Sequence, residues 1–162
     1  ENSEKIGLFA GYRPNRLSLY LLMIRTDRIE ELYDVIYKDM KKYKEEEPFY
    51  LVDLNEEELS DEDLNGSSFQ RSIPAIPSLI ISSFGSGNMS DEYKVSKEYH
   101  FRNNKTGRIV VLYDWKKTKM YDSEYPEPSK FWSSKDEKRF NLGALNERDT
   151  FGFKGWITSQ LK

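Results

Sequence analysis

The residues of this chain best placed to do chemistry together lie in one acidic stretch, residues 53–66, which ends Asp61-Glu62-Asp63-Leu64-Asn65-Gly66. A hard cation needs several oxygens converging on one point. Oxygen-bearing side chains at alternate positions, followed by a glycine bend, can supply them. Asp61, Asp63 and Asn65 are therefore the candidate metal ligands, and calcium is the candidate cofactor. The competing reading is a solvated acidic loop closed by an Asn-Gly turn, a common surface composition.

Those six residues resemble the opening half of EF-hand-like loops, and the second half departs from the pattern. Ser68 stands where an aliphatic residue is usual, and Ser72 where a bidentate Glu is expected. The resemblance implies ligand roles for Asp61, Asp63 and Asn65 alone. The stretch also carries charge: residues 27–65 hold fifteen acids and five bases, whereas residues 66–162 hold eleven acids and sixteen bases. Glu56, Glu57, Glu58 and Asp61 thus form a candidate acidic docking surface. A cytosolic inhibitor or immunity-type protein would present such a surface to a basic partner, and charge complementarity would speed the encounter.

Basic and aromatic residues interleave further along. Tyr113, Trp115, Lys116, Lys117, Lys119 and Tyr121 form one group, and Phe131, Trp132, Lys135, Lys138, Arg139 and Phe140 another. Stacking combined with charge can hold single-stranded nucleic acid or a sugar, and Tyr, Trp and Arg also serve as anchors for protein partners. Tyr113, Trp115, Lys117, Trp132 and Arg139 are the candidate ligand-binding residues. The plain alternative is a half-buried strand edge with aromatics inward and lysines guarding the edge. A net charge of −3 disfavours general nucleic-acid binding, so a protein partner is expected.

Other chemistries are excluded or unsupported. The chain has no Cys, which removes disulfides, thiolate nucleophiles and cysteine metal sites. His100 is the only His, so multi-histidine metal sites are absent, and strand alternation predicts that it points outward between Glu98 and Arg102. Phe84-Gly85-Ser86-Gly87-Asn88 fits neither phosphate-loop pattern nor the serine nucleophile elbow, and reads as a loop. With 28 acids in the chain, spacing singles out no catalytic carboxylate pair. The expectation is a non-enzymatic interaction domain, ahead of the inhibitor reading and of an enzyme with a dispersed, motif-less site.

The elements that position these residues suggest one α+β domain over residues 1–162, with the acidic loop at about 53–66. Strands are predicted over 6–12, 17–25, 49–54, 79–84, 93–102 and 109–115, with a last one around Phe151, Phe153 and Trp156. The pair 93–102 and 109–115 reads as a hairpin, residues 72–77 as extended, and 129–141 as carrying a short helix. Apolar residues from Ile29 to Tyr43 recur at helical spacing, acids early and lysines late. That pattern predicts one main amphipathic helix at about 27–45, packed on one face of a mostly antiparallel twisted sheet. The longest apolar run, Leu19 to Ile24, is too short to cross a bilayer. The opening Glu1-Asn2-Ser3 lacks an initiator Met. With the aromatic-rich β half, this favours an exported or lipoprotein-derived bacterial module in an extracytoplasmic setting.

Overall fold

The computed structural model describes residues 34, 36–38, 47–54, 59–91 and 93–161. The chain divides into two compact units, Glu1–Glu46 and Glu47–Lys162. In the first, Asp34, Ile36, Tyr37 and Lys38 are helical, with Ile36 buried and Tyr37 exposed. The remainder of the helix expected over 27–45, its packing, and the strands expected over 6–12 and 17–25 lie outside the described residues.

The second unit is an α+β fold. In chain order its elements are β1 (Phe49–Leu51), α1 (Asp61–Leu64), β2 (Ser68–Ala75), α2 (Pro77–Phe84), β3 (Val95–Asn103), β4 (Ile109–Trp115), α3 (Pro128–Trp132), β5 (Lys138–Ala144), a 3-10 turn (Glu147–Thr150) and α4 (Phe153–Gln160). The five strands form one antiparallel sheet in the order β1-β3-β4-β5-β2. The expected hairpin is β3–β4, with Tyr99 opposite Leu112 and His100 opposite Val111.

One face of the sheet carries the main core. Tyr99, Phe101, Val110, Leu112, Phe140 and Leu142 meet Ile80, Phe131, Trp132, Phe153, Trp156 and Ile157 from the helices. The centre is aromatic: Phe153 lies 5.1 Å from Phe101 and 5.2 Å from Phe49, ring to ring. Such pairs add about 1 kcal/mol each beyond the area they bury. The opposite face carries a smaller cluster of Val52, Ile109 and Val111, joined by Tyr50, Leu59, Leu64 and Tyr113.

Two local expectations are corrected. Residues 79–84 lie in a helix, α2, not a strand. Pro77 sits in its first turn, where no N–H is required. Gly85, at φ 79°, ends it by donating its N–H to Ile81 O. The last strand is likewise the helix α4, entered through Gly152 at φ 78°. Phe153, Trp156 and Ile157, its buried residues, have helical spacing, not strand spacing. The short helix expected within 129–141 is α3, and β5 begins after it. Among the described residues no helix is long and apolar enough to cross a membrane.

Candidate interaction surface

The open end of the β3–β4 hairpin gathers aromatics and lysines. Tyr93 is 55% exposed and Trp115 39%. Tyr93 and Tyr121 meet edge-on at 5.7 Å, and Trp115 meets Tyr113 at 6.3 Å. Lysines lie over these rings. Lys94 Nζ is 5.5 Å from the Trp115 ring and 5.6 Å from Tyr93; Lys116 Nζ is 4.5 Å from Tyr121 and 5.6 Å from Trp115.

Two carboxylates hold this arrangement. Asp91 Oδ1 accepts the backbone N–H groups of Tyr93, Lys94 and Val95, which fixes the chain as it enters β3. Those bonds, the one from Lys94 foremost, hold the Asp91 carboxyl below the ordinary aspartate range. Asp114 is fully buried near the end of β4. Its Oδ1 accepts from the backbone N–H of Ser96 and of Lys97, across the bulge between Val95 and Glu98. Its Oδ2 accepts from the Ser96 hydroxyl, which in turn accepts from Trp132 Nε1–H. Burial pushes the Asp114 carboxyl up, against the pull of these bonds.

Lys116 is the only described non-glycine residue at positive φ, 55°. That conformation costs about 1 kcal/mol for a residue with a Cβ. The Lys116 N–H donates to Lys94 O at 2.7 Å, which ties the two lysines together through the backbone.

The candidate ligand residues are only partly brought together. Tyr113 and Trp115 stand side by side, and Lys117 follows on the exposed turn. Trp132 is 3% exposed and belongs to the main core. Arg139 is exposed on β5, opposite Pro74 of the edge strand β2. Sequence reasoning left out Tyr93 and Lys94. The signal was there: Asp91 two residues before Tyr93 is an Asx-turn spacing.

Neither a protein-family model nor a curated protein matches this chain. The reading of its surfaces therefore stands on geometry.

His100 corrects its expectation: it is 4% exposed. The second face of the sheet is covered too, so alternation does not send His100 to solvent. Its Nε2 lies 3.5 Å from Glu98 Oε1, and its Nδ1 is buried without a partner. Burial lowers the affinity of this imidazole for a proton, and Glu98 partly restores it. Tyr113 stands opposite Glu98 and shares a hydrogen bond with Asn141 on β5; the Ser72 hydroxyl lies 3.4 Å from Asn141 Oδ1. The row forms a polar strip across four strands. No hydroxyl is hydrogen-bonded to His100 among the described residues.

In the acidic stretch, Glu56, Glu57 and Glu58 lie outside the described residues, Asp61 opens α1, and Asn65 is exposed in the turn after it. Asp63 Oδ2 accepts from the Ser60 N–H and hydroxyl, both at 2.9 Å, and Oδ1 accepts from Arg102 at 3.1 Å. These partners, Ser60 first and then Arg102, hold the Asp63 carboxyl below its ordinary range. Among the described residues no group of three or more acids or histidines is placed to hold a metal ion.

Proposed function

We propose that this chain is a non-enzymatic binding domain that meets a protein partner through Tyr93, Trp115 and Tyr121. The observation that carries the reading is the aromatic cluster exposed at the hairpin end, held there by two buried or capped carboxylates. Tyr and Trp are the residue types that anchor protein interfaces, because each offers large apolar area at low entropy cost. A strained backbone at Lys116 is maintained in the same place, and strain of this kind gathers at functional sites.

The test uses the full chain on a column, exposed to lysate, beside Trp115→Ala and Tyr121→Ala variants. A protein retained by the parent chain and lost from both variants is the expected result. Retention of the same proteins on all three columns, or of none on the parent, contradicts the proposal.

A further inference from the structure

We infer that the partner docks an acidic peptide segment here, its carboxylates meeting Lys94 and Lys116; this rests on the binding-domain reading. The two ammonium groups converge on a single ring, 5.5 Å and 5.6 Å from the Trp115 centroid. Among the described residues no carboxylate lies within ion-pair distance of either. Two other surface cations are paired: Lys119 with Glu127 and Arg71 with Glu147, each at 2.6 Å. Asp91, close in sequence, has its Oδ1 taken up by three backbone N–H groups. Asp91 acts on Lys94 only at longer range, so the surface offers two positive charges outside any ion pair beside exposed apolar rings.

The position of the lysines selects among anionic ligands. Their ammonium groups lie over the ring faces of Trp115 and Tyr121, so a base or sugar that stacks would first have to displace them. An anion meets them where they are. A nucleic-acid backbone draws its affinity from many cations together, and the chain's net charge is −3. A peptide carrying carboxylates for the lysines and apolar side chains for Tyr93 and Tyr121 fits both halves of the surface.

The probe is a fluorescent peptide of glutamates interspersed with phenylalanines, titrated with the full chain at low salt and followed by anisotropy. Saturable binding that weakens as salt rises is expected. The double variant Lys94→Gln/Lys116→Gln should bind about tenfold more weakly, as loss of two exposed charge contacts implies. Lys105→Gln, on the β3–β4 loop, should bind like the parent. Absence of binding, equal binding by the double variant, or tighter binding of a single-stranded RNA oligonucleotide overturns the inference. If a lysate protein is lost on Trp115→Ala but kept on the lysine double variant, the binding-domain reading stands and the acidic segment falls.

Discussion

Ser96 and Asp114 are hydrogen-bonded twice, the Ser96 N–H to Oδ1 at 2.9 Å and the Ser96 hydroxyl to Oδ2 at 2.6 Å. The pair fixes the β3 bulge, and through Trp132 it joins that bulge to the helix α3. Asp114→Ala leaves two N–H groups and the Ser96 O–H without their acceptor in a buried site. It should cost about 2–4 kcal/mol in chemical unfolding. Asp114→Asn keeps an acceptor for both N–H groups and should cost clearly less. An Asn variant as unstable as the Ala variant would show that the charge, not the acceptor geometry, holds the bulge.

The Gly85–Gly87 loop closes over Tyr99. The Tyr99 hydroxyl donates to Gly85 O at 2.8 Å, and a Cβ on Gly87 would stand 2.6 Å from the Tyr99 ring. Gly87 also has φ 68°. Gly87→Ala should therefore cost about 2 kcal/mol or more through strain and overpacking. Gly155, inside α4 with open space around its Cβ position, predicts the reverse: Gly155→Ala should stabilise by about 0.5–1 kcal/mol. Thermal melts of the two variants shifting in the same direction would contradict this.

His100 should make stability depend on pH. Its folded pKa is depressed below the ordinary 6.5, mainly by burial. Between the folded and unfolded values the unfolded chain binds more protons, so stability is complete above about 6.5 and falls as pH drops below it. It is the chain's only His. His100→Phe should flatten the melting midpoint between about pH 7 and pH 5, whereas an unchanged slope would assign the effect elsewhere. The depressed carboxyls of Asp63 and Asp91 lose their contributions only further down, as pH falls below the ordinary aspartate value of 3.8.

Much of the β half was legible. The β3–β4 hairpin shows its alternation plainly, and Pro74 on β2 fits an edge strand. What alternation hid was the burial of both faces: it labels residues of β3 as inward or outward, and His100 proves inward on the second side. The helices α2 and α4 were misread because short apolar runs fit either period. Their brackets, Pro77 with Gly85 and Gly152 before Phe153, carried the information instead. The interaction surface was half legible. Trp115 and its lysines are adjacent in sequence, but Tyr93 and Lys94 reach them only through the hairpin pairing that sets Val95 opposite Trp115. Trp132 shares their composition and lies in the core, a distinction that only packing makes.

Lys116 should trade stability against binding. Asn tolerates the left-handed backbone better than Lys. Lys116→Asn should thus leave stability unchanged or raise it by less than about 1 kcal/mol, while weakening capture of the partner. A variant that loses stability and keeps binding would remove Lys116 from the surface.

The most direct measurement is photo-crosslinking of the full chain in lysate, with benzoylphenylalanine placed at Tyr93 and, separately, at Phe151, whose side chain is equally exposed (57%) but lies outside the cluster. A discrete protein adduct from position 93, competed by excess unlabelled parent chain but not by the Trp115→Ala chain, and absent from position 151, is the predicted result. No adduct from position 93, or the same adducts from both positions, contradicts the account.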